Sequence, residues 1–154
     1  MIIRKATVED APRIAEMAGE LLTEIMEAIG IQAFNFDLPA TIGRLIDFLG
    51  REKYFAFIAL DDASPAGFIA LYESYALYAE GAFGTIPELY VRSPYRSKQL
   101  GCQLLSLAKA FGRSRNWTRL EVTTPPLPQF DKTLAFYERK GFSISGGRKL
   151  KVSL

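Results

Sequence analysis

The sequence predicts a domain of the α/β (α+β) class, built from seven strands and four helices. Three observations carry that reading. Four segments repeat apolar residues at helical spacing, the remaining apolar runs are short, rich in β-branched and aromatic residues and closed by turn residues, and the two kinds of segment interleave along the chain. At 154 residues the chain has the usual size of one domain, 1–154, long enough to bury a core without a disulfide or a structural metal.

The elements follow in order. MIIRKA alternates and reads as a strand. TVEDAPRIAEMAGELLTEIMEAIG reads as a helix, opened by a Thr7–Asp10 capping box with Pro12 in its first turns and closed at Gly30. On it Ile14, Met17, Ala18, Leu21, Leu22, Ile25 and Ile29 form one apolar stripe. IQAFNFDLP is a loop and PATIGRLIDFLGR a second, shorter helix. YFAFIALDD and AGFIALYESYAL read as a hairpin around DDASPAG, and FGTIPELYVRS as one further strand. A basic turn then leads into a helix reaching about Arg115. The strand TRLEVTTP is halted by Pro125, Pro126 and Pro128. QFDKTLAFYERKG is a helix ending at Gly141, and FSIS with RKLKVSL, joined by Gly146-Gly147, reads as a closing hairpin. There is no internal repeat, low-complexity tract or linker.

Composition excludes several chemistries. The chain has no histidine, which removes Ser-His-Asp and Cys-His nucleophilic machinery and most catalytic zinc sites. Its one cysteine, Cys102, forms no internal disulfide, so a reducing compartment is expected. No apolar run approaches the length of a membrane span, and the charged start lacks the hydrophobic region of a secretory signal, so a cytoplasmic location is expected. The formal charge of +2 conceals a polarity. Residues 1–88 hold six basic and fourteen acidic side chains, and residues 89–154 hold thirteen basic and three acidic ones. The simplest reading is an anion bound by the second half, with acidic helix faces of the first half either solvated or drawn to a cation.

The stretch YRSKQLGCQLL locates the anion. It is a tight basic turn between a strand and a helix, and a helix start offers unpaired amides at the positive end of the dipole. Arg96 and Lys98 add charge, and no acidic residue occurs from Leu89 through Leu120. The turn is not a Walker loop, because no Gly-Lys-Ser/Thr follows, and it comes too late for a dinucleotide-binding βαβ unit. A solvated basic helix, or a face for nucleic acid, would also account for the charge alone.

The run IPELYVRSPYRSKQLGCQLL resembles the acetyl-coenzyme A motif of the GNAT acetyltransferases, Arg/Gln-x-x-Gly-x-Gly/Ala, with Arg96 and Gly101 in register and Gln99 in place of the first glycine. LAFYERKGF resembles the second signature of that family, a helix with Phe-Tyr followed by Gly-Phe, here Phe136, Tyr137, Gly141 and Phe142. The resemblance covers essentially the whole chain. It implies the GNAT fold, a central mixed, mostly antiparallel sheet of about seven strands flanked by about four helices. It also implies acetyl-CoA as cosubstrate and an amine acceptor, with no nucleic acid or membrane partner, in a family where dimers are common. By resemblance, Leu89, Tyr90 and Val91 line the pantetheine arm, and Arg96, Ser97, Lys98, Gln99, Leu100, Gly101 and Cys102 wrap the pyrophosphate. Glutamine at 99 fits this loop only with an ordinary negative φ, because the glycine it replaces permits a positive one.

The resemblance assigns Tyr137 as the acid that protonates the departing thiolate, against the plainer reading of a packing residue. A phenol and a thiolate are matched closely enough for such a transfer. Glu88, on the strand before the loop, is the candidate base, with Glu121 a lesser one. A backbone amide near Tyr90 is the candidate donor to the thioester carbonyl. Phe130 and Thr133 depart from the family's usual asparagine and alanine, a loss that Thr123 or Thr124 would make good. Cys102, with no histidine beside it, reads as packing rather than nucleophile. For the acceptor, Tyr72, Tyr75, Tyr78, Phe83, Phe34 and Phe36 could wall a pocket, and Glu24, Glu27, Asp37, Glu73 and Glu80 could draw a cationic amine. Three readings remain at this point: an N-acetyltransferase, a domain of the same fold that binds or senses acyl-CoA without turnover, and, from the basic second half, a nucleic-acid binding domain.

Overall fold

The structure is a computed structural model that describes residues 1–154 throughout. It divides into two compact units, Met1–Thr123 and Thr124–Leu154. The first holds strands β1 (Ile2–Lys5), β2 (Phe55–Asp61), β3 (Ser64–Ala76), β4 (Gly81–Ile86), β5 (Leu89–Val91) and β6 (Leu120–Val122), with helices α1 (Ala11–Ile29), α2 (Leu38–Gly50) and α3 (Leu100–Ser114). The second holds α4 (Asp131–Arg139). No helix is long and apolar enough to cross a membrane.

The strand order is β1-β2-β3-β4-β6, antiparallel except for the parallel pair β4–β6, and β5 pairs with β3 alone. The period-2 pattern of β2 divides the core in two. Ala56, Ile58 and Leu60 point into a cluster with Ala11, Ile14, Ala15 and Met17 of α1 and Leu45 of α2. Phe55 and Phe57 point the other way, against Phe111 of α3, with ring centroids 4.9 and 5.8 Å apart. The start of α1 is tied down by Asp10, which is buried. It accepts two hydrogen bonds from Arg4, at 2.8 and 2.9 Å, and one from the Thr7 amide at 2.9 Å. These bonds to Arg4 and the Thr7 amide hold the Asp10 carboxyl below its ordinary pKa against the opposing effect of burial.

Two sequence expectations are corrected. FGTIPELYVRS is two strands, because Pro87 has no amide to give the ladder. On β3 three steps separate Tyr72 from Ile69, and their partners Thr85 and Leu89 lie four steps apart. The extra residue is a bulge that bends the chain at Pro87-Glu88. The closing hairpin is absent: residues 142–154 form no strand, and the alternating Leu150, Val152 and Leu154 are exposed. An isolated two-stranded hairpin is marginal without a packed face, and alternation by itself does not supply one. The sheet therefore has six strands rather than seven, alongside the four expected α-helices.

Candidate active site

The bulge at Pro87-Glu88 sends β4 and β5 in different directions along β3. β4 continues to be paired with β6 on its far side, while the far side of β5 has no strand partner. Which groups face that free edge follows from two bonds to β3. The Arg92 amide donates to the Ala66 carbonyl at 2.8 Å and the Ala70 amide to the Glu88 carbonyl at 2.9 Å. In an antiparallel ladder bonded pairs alternate with non-bonded ones, so Tyr90 is also committed to β3, and the amides and carbonyls of Leu89 and Val91 point outward. The outward amides near Tyr90 are thus those of its two neighbours. The Tyr90 side chain turns into the α1/α2 cluster, and its hydroxyl donates to Glu20 at 3.2 Å.

Beyond β5 the chain turns through Ser93–Tyr95 and enters α3. The first bond of that helix runs from the Gln103 amide to the Gln99 carbonyl at 3.0 Å, leaving Leu100, Gly101 and Cys102 as the orphan amides of its first turn. The Gln99 side chain does not cap them. Ser97 and Gln99 both lie in the left-handed region, with φ of 62° and 68°. The expectation of a negative φ at Gln99 is therefore corrected: the loop keeps a glycine-like path while carrying side chains that disfavour it. Its shape is imposed by the chain on either side, with Leu100 buried and the Arg96 amide bonded to the Ser93 carbonyl at 3.2 Å.

The basic side chains of this turn divide into two groups. Arg96 is fully engaged: its Nε donates to the Val91 carbonyl at 2.8 Å, and its two terminal nitrogens donate to Glu24 of α1 at 2.8 and 3.1 Å. Arg92 likewise grips Glu20, at 2.7 and 3.1 Å. Both arginines act as clamps between α1 and the end of β5, and the polarity of the two halves of the sequence is in part satisfied internally. Lys98 makes no ion pair and is exposed, so it is the side chain of the turn free to meet an anion. An uncapped helix start, a free lysine and an unpaired strand edge fit the diphosphate and the amide-bearing arm of coenzyme A.

Glu88 sits at the bulge, where the Tyr54 hydroxyl donates to its Oε1. Burial raises the Glu88 carboxyl above the ordinary value and the bond from Tyr54 partly offsets this. Burial and the Glu88 charge push the Tyr54 phenol well up. Tyr54 lies one residue before β2, and nothing in its local sequence signals this partner 34 residues away. Glu121, the lesser candidate, is paired with Arg119 at 2.7 Å.

The proposed aromatic wall is not assembled. Phe83 is buried, while Tyr75 and Tyr78 are each 75% exposed. Glu73 accepts from Trp117 Nε1 at 2.6 Å and from the Tyr75 hydroxyl, with Arg115 at 3.7 Å, so it anchors the β3–β4 hairpin rather than awaiting a ligand. Phe36 lies against α1, where Gly19 gives it room; a Cβ there would be 2.6 Å from the ring. Together with Glu16, Glu20, Glu24, Glu27 and Arg92 it lines an open groove of about 600 Å³. Cys102 is half-buried beside Met1, Ile3 and Leu107, which agrees with a packing role.

In the second unit, Tyr137 of α4 is buried between Phe136 and Phe142, with both ring centroids 5.3 Å away. Burial raises its phenol far above the ordinary value, so it stays protonated across the physiological range. The Phe142 amide donates to the Tyr137 carbonyl at 3.1 Å, with Gly141 taking the left-handed turn that closes α4.

The chain as a whole is similar to known proteins. The model of the GNAT acetyltransferase family matches residues 20–142, and the chain belongs to that family. It is an acyltransferase by that membership. A curated relative, the aminoalkylphosphonate N-acetyltransferase of Salmonella typhimurium, is 28% identical over 150 residues, spanning 97% of this chain and 90% of that one. Among solved structures, a Clostridium acetobutylicum protein determined with acetyl-CoA superposes with a TM-score of 0.78 at 16% identity, covering 99% of this chain and 95% of the other. A GCN5-related N-acetyltransferase from Ralstonia eutropha JMP134 gives 0.77 at 16% identity, covering 98% and 97%. At such identities the structural likeness establishes the fold.

Proposed function

We propose that the chain transfers an acetyl group from acetyl-CoA directly to a primary amine, both bound at once. The observation that carries this reading is the conjunction of the free outer edge of β5 with the uncapped start of α3 a few residues later. Acetyl-CoA supplies the acetyl group as an activated thioester. The outward amide and carbonyl of Leu89 and the outward amide of Val91, whose carbonyl is taken by Arg96, hold the pantetheine arm, and the amides from Ser97 to Cys102, with Lys98, hold the diphosphate. Arg96 contributes by fixing the loop to α1 through Glu24 rather than by touching phosphate.

An alkylammonium must lose a proton before its nitrogen can attack. Glu88 accepts that proton. The nitrogen electron pair then forms the C–N bond, the C–S bond breaks, and the departing sulfur takes the phenolic proton of Tyr137, after which solvent restores both side chains. A carboxyl raised by burial is a stronger base than a solvated one; burial likewise keeps the Tyr137 phenol protonated, while making it a weaker acid than a solvated phenol. The acceptor is a small primary amine, with its cationic end drawn to Glu16 and Glu27 of the α1 groove, where Glu20 and Glu24 are held by Arg92 and Arg96. The compound class named for the Salmonella relative, aminoalkylphosphonates, heads the panel of acceptors to try.

The test is thermal denaturation with coenzyme A and with acetyl-CoA, followed by turnover of acetyl-CoA against a panel of primary amines. A melting shift with both ligands, lost on Arg96→Glu, together with amine-dependent release of free thiol, is expected. No shift with either ligand overturns the reading.

A further inference from the structure

Two carboxylates of the first unit, the buried Asp10 and the half-buried Glu88, are treated in opposite ways. Asp10 has two bonds from Arg4 and one from a backbone amide, as a structural carboxylate requires. Glu88 has no cation and one donor, Tyr54, which touches only Oε1. No buried side-chain oxygen in the protein lacks a partner, so the unpartnered Oε2 of Glu88 must be reachable by solvent. A carboxylate held at one oxygen and open at the other does little for stability. It is poised to take a proton.

We propose that Tyr54 is the positioning residue for this base: its hydroxyl fixes Oε1 of Glu88 and so presents Oε2, ionised, to the acceptor amine. The inference rests on the reading of Glu88 as base given above. The geometry is over-determined on both sides. The Glu88 carbonyl is held by the Ala70 amide across the sheet, and the Tyr54 ring packs against the α1/α2 core and against Phe48, with centroids 5.9 Å apart.

The charged groups of the surrounding elements are spoken for elsewhere. On α1, Glu20 faces Arg92 and Tyr90, and Glu24 faces Arg96. On α2, Asp47 pairs with Arg51 and Arg44 is exposed. On β5 the Tyr90 phenol bonds Glu20. Tyr54 is therefore the one polar side chain that sets the charge state of Glu88, and it favours the ionised form.

The experiment is kcat/KM against pH for the wild type, Tyr54→Phe and Glu88→Gln, with acetyl-CoA and an amine that turns over. Melting curves with coenzyme A serve as the folding control. The bond from a neutral donor to a charged acceptor predicts that Tyr54→Phe moves the acid limb up by about one pH unit, with roughly tenfold loss of rate below it and recovery above it. Difluorotyrosine at position 54, a stronger donor with the same shape, moves the limb down, and this variant keeps the test open if the phenylalanine protein folds poorly. An acid limb unmoved by both changes but abolished by Glu88→Gln overturns the role of Tyr54 and leaves the base in place. A limb and rate retained in Glu88→Gln overturn the base itself.

Discussion

Gln99→Gly should stabilise this protein, although it removes a side chain and shortens nothing. Gln99 has φ 68° and ψ 6°, is exposed, and makes no capping bond to α3, so no native contact is lost. The left-handed conformation costs an L-residue about 1–2 kcal/mol that glycine does not incur. Against this, glycine loses more freedom on folding, by about 0.4–1 kcal/mol. The mid-range difference is a gain of about 0.8 kcal/mol, with extremes of about 0 and 1.6, which for a domain of this size corresponds to a rise of roughly 2–3 °C in Tm. Circular dichroism melts of Gln99→Gly and Gln99→Ala decide the point. Alanine keeps the penalty, so only glycine should raise Tm. The coenzyme A shift should persist in both, because the path of the loop is unchanged. A lower Tm for Gln99→Gly, or an equal rise for alanine, would refute the idea that backbone conformation rather than a side-chain contact is what position 99 contributes.

Three further outcomes are expected. Asp10→Asn should cost about 2 kcal/mol at neutral pH in urea unfolding, since it weakens charge-assisted bonds to Arg4. The folded pKa of Asp10 is depressed, so this contribution is present above the unfolded value and fades as pH falls through the folded one; the gap between wild type and variant should close in acid. Gly84→Ala would bring a Cβ within 2.5 Å of the Trp117 ring and 2.6 Å of Leu120, and overpacking of this kind costs about 1–3 kcal/mol, with a changed Trp117 emission spectrum as the local report. Tyr137→Phe should lower kcat by about 100-fold while leaving coenzyme A binding nearly intact, because the ring packing survives and only the proton donor is lost. Unchanged turnover would remove Tyr137 from the acid role.

Much of the architecture could be read from local pattern. The apolar stripe of α1, the Thr7–Asp10 signal, the glycine at position 30 and the short apolar run of β2 each reflect interactions within a few residues, and each reappears in the structure. The closing segment shows the limit of such reading, since an alternating sequence becomes a strand only where a partner and a packed face exist. The anion-ready turn before α3 was legible for the same local reason, as a basic stretch ahead of an amphipathic run.

What tertiary structure decided lies in long-range pairing and in backbone sign. Pro87 marks a break within FGTIPELYVRS, but the extra residue that separates β4 from β5 depends on the register each keeps with β3, which that stretch does not contain. Glu88 was visible as a carboxylate, but Tyr54 as its partner depends on the sheet bringing the start of β2 beside the bulge. Arg96 looked like a phosphate ligand because its sequence neighbours are basic, and it became a clamp because α1 delivers Glu24 to it. Ser97 and Gln99 carry no sign of their left-handed φ, because the flanking anchors impose that conformation against their own preference. Local energies of a fraction of a kcal/mol per residue choose helices and turns; the sum of contacts across the fold is large enough to overrule them, and here it does so at the residues that form the site.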